Sequence, residues 1–294
     1  MPSFALAVLT HGAMDRLYED VLAFEAALGV RFEWVLHAGD FGIWPDPHRI
    51  DKATRKHDGA GDFPAWFAER RTAPRKTLFI KGNHEDFVWL DMQHVLPGLF
   101  YLRNGRTMDL GEGRDVVRVG GVGGCYGPSD FDRQSKHLQG YAKRHFTRDE
   151  IETLSKSAGV DILLVHDAPA GVRFERHRRG LGWMSEAAGL DQLVAAVRPR
   201  VCFFGHHHTW VDSEVAGVRC IGLNKVRMRA RWNNHSRWAT KPIDSDRRSR
   251  QRQQNRLDVR LCFYEVSGFL LRAISARSVE RARTVPGAAI AASS

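Results

Sequence analysis

Two periodicities alternate along the chain. Short apolar runs at 4–9, 33–38, 77–81, 161–165, 200–204 and 218–222 read as buried strands. Between them, Leu17, Val21, Leu22 and Leu28 keep helical spacing over 14–28. A short helix is expected over 63–70, entered through Asp62 with Pro64 in its first turn, and another over 85–94. Thr147 and Glu150 form a capping-box pattern for a helix over 148–157, and Ser185 is expected to start one that runs to 197. Two short strands are expected near 99–102 and 115–121. "LDVRLCFYEV" and "FLLRAIS" read as a closing hairpin, and "PGAAIAASS" as a disordered tail.

Strands alternating with helices predict an α/β protein. The expected organisation is a core over 1–225, a basic insertion over 226–256, a closing β-hairpin over 257–280 and a tail over 281–294. The 294 residues are 43% hydrophobic, enough for a sizeable core. No secretory leader pattern follows Met1, and no apolar run has the length of a membrane span, so the expected setting is cytoplasmic, away from membranes. Cys125, Cys202, Cys220 and Cys262 form no CxxC pair and read as free thiols in a reducing compartment.

Charge changes this picture in one place. The formal net charge is +10, but residues 225–256 hold eleven Lys/Arg against two Asp, a net of +9. A near-neutral body with one strongly basic segment points to a polyanionic partner such as nucleic acid. The alternative is a solvated loop without a partner. Oligomeric state has no signature in the sequence.

The candidate chemistry lies just past the ends of the strands. His11, Asp40, Asn83 with His84, His166, and His206 with His208 each follow an apolar run. Ligands of open α/β sheets bind at that edge. Carboxylate, amide oxygen and imidazole together suit a divalent Mn, Fe or Zn ion. In "GHHH" the alternation of an extended chain puts His206 and His208 on one side and His207 on the other, as a bystander or outer contact.

"THG", "HAGDF", "KGNHED", "VHDAP" and "FGHHH", in this order, resemble the motifs of the calcineurin-like metallophosphoesterases over roughly residues 4–225. The resemblance implies a four-layer α-β-β-α sandwich of two mixed sheets and hydrolysis of phosphate esters at two metal pockets. One pocket would take Asp40, Asn83, His166 and His206. The other would take His11, Asp40 and His208, with Asp40 shared. His84 matches the family's histidine that faces the scissile phosphate, as proton donor to the leaving oxygen.

Two positions depart from that pattern. The usual aspartate two residues before the first histidine is Leu9 here, and the aspartate that often follows the "GD" motif by three is Ile43. Leu9 leaves the second pocket one anionic ligand short, so one tight and one weak metal are expected. Both departures, with "PRKTLFIKGNHE", "VRVGGVGGCYGPSDF" and "CIGLNKV", are similar to the RNA lariat debranching enzymes. "PSDFDRQSKHLQGYAKRHF", at 128–146, then falls where their recognition loop lies. Lys136, Tyr141 and Arg144 within it, with His207 and Arg173, are the candidate substrate contacts. The expectation is a phosphodiesterase acting on RNA or DNA. A small-molecule or nucleotide phosphatase and a non-catalytic phosphate-binding relative are the alternatives.

Overall fold

Strand period 2 sorts each apolar run onto two faces, so every central strand serves two cores. We describe the protein from a computed structural model, covering residues 3–56, 61–92, 96–113, 115–175 and 182–224, with the backbone alone of 258–266 and 269–277. The basic segment 225–256 and the tail 281–294 lie outside the described residues.

One sheet contains β1 (Phe4–Ala7), β2 (Trp34–His37), β3 (Lys76–Phe79) and β4 (Leu99–Tyr101), all parallel. The second contains β5 (Arg106–Leu110), β6 (Val117–Val122), β7 (Ile162–Val165), β10 (Val201–Phe204), β11 (Val211–Val215) and β12 (Val218–Gly222). Its spatial order is β11-β12-β10-β7-β6-β5, with antiparallel strands only at its two edges. A two-stranded ribbon, β8 (Arg173–Phe174) and β9 (Trp183–Met184), stands apart. The hairpin β13 (Asp258–Val266) and β14 (Phe269–Arg277) extends the first sheet, with β14 antiparallel to β1.

Leu6, Val8, Leu36, Leu78 and Ile80 of the first sheet side pack against Val119, Ile162, Leu164, Phe203 and Ile221 of the second. On the outer face of the first sheet, Ala5, Ala7, Val35 and Phe79 meet α1 (Met14–Leu28), α2 (Asp62–Ala68) and α3 (Phe87–Asp91). Leu163, Val165, Cys202 and Phe204 meet α4 (Arg148–Ser155) and α5 (Leu190–Val197) on the other side. The result is the four-layer α-β-β-α sandwich. No described helix is long and apolar enough to cross a membrane. Cys202 and Cys220 are register partners on β10 and β12, and both are buried free thiols.

Differences from expectation have local causes. The helix expected from 85 begins at Phe87, because Asp86 caps it by accepting the Trp89 N–H at 3.2 Å. The Glu85 carboxylate binds the backbone of Phe41–Ile43 instead. The helix expected from Ser185 begins at Leu190; the Ser185 hydroxyl instead donates to the Ala168 carbonyl at 2.7 Å. β5 and β11 were not anticipated, since each edge strand carries more polar than apolar residues. The capping box is present, with Glu150 Oε2 accepting the Thr147 N–H at 3.0 Å.

The inter-sheet core holds the two ligand-bearing edges in register. Phe203 is fully buried there. Phe203→Ala is expected to cost about 3–5 kcal/mol, measured by urea unfolding; a loss below about 1 kcal/mol would mean that the sheets are not locked through this contact.

Candidate metal centre

Eight described non-glycine residues have positive φ, and five of them are Leu9, His11, Asp40, His206 and His208. Left-handed backbone costs an L residue of order 1–2 kcal/mol, and here it clusters where β1, β2 and β10 end. Each turn is held by backbone hydrogen bonds. Leu9 N–H donates to the Gly39 carbonyl (3.1 Å), His11 N–H to Asp40 (2.9 Å) and Gly12 N–H to Phe41 (2.9 Å), which ties the loop after β1 to the loop after β2.

Asp40 is buried at the centre. Its Oδ1 accepts the N–H groups of Asn83 (2.8 Å) and His84 (2.9 Å), and its Oδ2 lies 3.5 Å from His166 Nε2. Burial alone would raise its pKa, but the neighbouring His166, and then His11 and His84, hold it well below the ordinary carboxylate range. Two glycines make room for this packing. A Cβ at Gly82 would strike Asp40 Oδ1, and one at Gly39, where φ is +93°, would strike the His166 ring.

Glu85 fixes the loop that carries Asp40. Its carboxylate accepts the N–H groups of Phe41 (2.8 Å), Gly42 (2.9 Å) and Ile43 (2.7 Å), and more loosely that of Gly82 (3.3 Å). Burial and the nearby Asp40 charge push its pKa up to about 7 against those bonds.

His166 Nδ1 lies 2.9 Å from the Ala38 carbonyl, to which it donates. That leaves Nε2 toward the site, 3.0 Å from Asn83 Oδ1. A backbone carbonyl orienting the far nitrogen is the usual support of a metal-binding imidazole. The His206 ring centroid is 5.2 Å from that of His166, and burial, then the His166 charge, lower its pKa to about 4. Ligand atoms of Asp40, His166 and His206 all lie within 4.8 Å of one another, and Asn83 completes the ring beside them. Mixed oxygen and nitrogen donors at this spacing fit a divalent ion.

His11 and His208 lie side by side, with ring centroids 5.8 Å apart. Among the described residues, no comparable cluster of three donors contains either of them. Leu9 is buried in the inter-sheet core and supplies no donor. A second cluster joins Asp167, His206 and His207. Its carboxylate is committed, Oδ1 to His207 Nε2 (2.8 Å) and the Ala168 N–H (2.9 Å), Oδ2 to the Tyr126 N–H (2.9 Å).

His84 stands beside His11, ring centroids 5.6 Å apart, and its Nδ1 is 2.7 Å from Asp51 Oδ2. Burial would lower its pKa, but the Asp51 bond and the charges of Asp40 and Asp51 raise it above the ordinary value. Asp51 therefore orients His84. Sequence reasoning missed it because Asp51 sits in a polar stretch without periodicity. Its one signal was the pattern Asp51-x-x-Thr54, in which Asp51 Oδ1 accepts the Thr54 N–H at 2.6 Å.

The candidate substrate residues divide. His207 lies against His206, with centroids 4.8 Å apart, and Arg173 is exposed on the ribbon beside it. Tyr141 is 58% exposed, with the Arg144 guanidinium 4.1 Å from its ring centroid. Lys136 instead lines a separate cavity of about 540 Å³ with Arg103, Arg106 and Lys143, which includes none of the candidate ligands.

The chain is 24% identical to a lariat debranching enzyme of Entamoeba histolytica over 76% of its own length and 68% of that protein's. It is 27% identical to the Schizosaccharomyces pombe lariat debranching enzyme over 68% of its length and 46% of that protein's, and so spans less than half of the yeast relative. A solved archaeal phosphodiesterase is 12% identical, covers 76% of this chain and 84% of the other, and superposes with a TM-score of 0.31. The family model of the calcineurin-like phosphoesterases matches residues 10–210, and across that span, more than two thirds of its length, the protein belongs to this family.

Proposed function

We propose that the protein is a metal-dependent phosphodiesterase acting on RNA or DNA, in the manner of a debranching nuclease. The observation that carries the reading is the convergence of Asp40, Asn83, His166 and His206, with His84 and its partner Asp51 beside them. Asp40, Asn83, His166 and His206 would hold one metal tightly. His11, Asp40 and His208 would hold a second weakly, because Leu9 contributes no ligand. A divalent cation in such a site supplies Lewis acidity toward water and the phosphoryl oxygens.

The chain's own residues do the rest. Glu85 and the glycine-lined approach hold Asp40 in place before any ligand arrives. With Nδ1 committed to Asp51, His84 keeps Nε2 for the substrate. Its raised pKa favours the protonated form, so Nε2–H can donate to the departing oxygen. A nucleic-acid substrate is supported by the named relatives, lariat debranching enzymes, and by the +9 segment 225–256. Buried free thiols fit the expected reducing cytoplasm.

Asp40→Ala and His206→Ala are expected to abolish hydrolysis of a generic phosphodiester without loss of the far-UV circular dichroism signal. Near wild-type turnover of Asp40→Ala with added Mn²⁺ would overturn the metal assignment.

His84→Ala is expected to lower turnover by about 10²–10⁴-fold while bound metal is retained. Asp51→Asn should lose a smaller part of the same activity. Both losses should shrink for esters whose leaving group needs no proton, as rates across a series of leaving groups would show. Equal losses across the series would remove the proton-donor role.

Deleting residues 228–254 is expected to weaken nucleic-acid binding and spare a small chromogenic ester. The slope of log K against log salt should fall by about 0.7–0.9 per lost phosphate contact. An unchanged slope would make the segment a solvated linker.

A further inference from the structure

A chain of aromatic rings leads out of the metal cluster. The His207 ring lies 4.8 Å from His206, and also 4.8 Å from Trp183 and from Phe174. Trp183 lies flat on Phe174, with centroids 4.3 Å apart and planes 9° from parallel. These two residues are cross-strand partners on the β8–β9 ribbon. Phe174 is buried in the core of the second sheet, 1% exposed, whereas Trp183 is only partly buried. The inner face of the stack is therefore fixed, and Trp183 is its outer ring.

His207 is fixed as well. Its bond to Asp167 leaves little freedom, because Asp167 is itself held by the Tyr126 and Ala168 N–H groups. The indole is thus held against two immobile rings, two ring-to-ring steps of 4.8 Å from His206. Filling a core would require only an aliphatic side chain at this place. A large planar ring, rigid behind and only partly buried, is the kind of surface on which nucleobases stack in proteins that bind single strands.

We propose that Trp183 is the stacking platform for a nucleobase next to the scissile phosphate. This rests on the phosphodiesterase reading and names the part of the substrate that the site would recognise beyond the phosphate. The platform discriminates a base-bearing from a base-free diester, not one base from another, since every base has a π face.

The probe is a short oligonucleotide with 2-aminopurine beside a methylene-phosphonate linkage that cannot be hydrolysed, titrated into the whole protein with and without Zn²⁺. Stacking quenches 2-aminopurine. Trp183→Leu, which keeps an apolar side chain, is expected to remove most of the quenching and to weaken binding by about 5- to 100-fold. Trp183→Phe should retain much of both. The same oligonucleotide with an abasic residue in place of 2-aminopurine should bind the wild type and Trp183→Leu with nearly equal affinity, because no base is there to stack.

Undiminished quenching in Trp183→Leu would overturn the proposal. So would an equal loss for the abasic probe, which would make Trp183 a prop for His207 and His206. Hydrolysis of base-free diesters by the wild type, measured in parallel, separates the two claims. Turnover without Trp183-dependent quenching removes the platform and leaves the phosphodiesterase. Trp183-dependent quenching without turnover of any diester removes the phosphodiesterase and leaves the base-binding site.

Discussion

The site depends on one buried carboxylate being held still. Asp40 takes a left-handed backbone at the end of β2, accepts two N–H groups from the loop after β3, and faces His166 from the second sheet. None of these contacts is made within one element. An unpaired carboxylate in such a place would be costly, and opposite charge together with directed hydrogen bonds is what makes it tolerable. The cation that the family uses would complete the same compensation. Apolar burial between the sheets is what brings β2, β3, β7 and β10 together, so the candidate metal site and the inter-sheet core are one construction.

Glu85 extends this logic one layer outward. Its carboxylate replaces three missing backbone partners in the turn Phe41–Ile43, a stretch that belongs to no helix or strand. The motif "GNHED" is therefore two devices in sequence. Asn83 and His84 face the site, and Glu85 and Asp86 build the turn and cap the helix beside it. The strain of five left-handed residues is stored here and offset by these directed bonds.

Much of this was legible in the chain because strand ends announce themselves. An apolar run that stops at a histidine or aspartate marks both the sheet and its ligand edge, which is how His11, Asp40, Asn83, His166 and His206 stood out. Residues acting at second hand carry no such mark. Asp51 reaches His84 from a loop whose path only the tertiary fold determines, and Glu85 looked like the first turn of a helix. Edge strands β5 and β11 were hidden because a strand covered on one face needs few apolar residues. Lys136, Tyr141 and Arg144 share one segment, and the short turns within it place Lys136 at the edge of a separate cavity.

The proposed site is asymmetric: Asp40, Asn83, His166 and His206 converge on one pocket, beside a second in which Leu9 supplies no ligand. Metal counting after dialysis tests that asymmetry. The protein loaded with Mn²⁺ or Zn²⁺ is dialysed against metal-free buffer and the metal per chain is measured by mass spectrometry, together with His166→Ala and His208→Ala. Close to one tightly held ion is expected in the wild type, with its loss in His166→Ala and its retention in His208→Ala. Two ions held equally tightly, or equal loss in both variants, would contradict it.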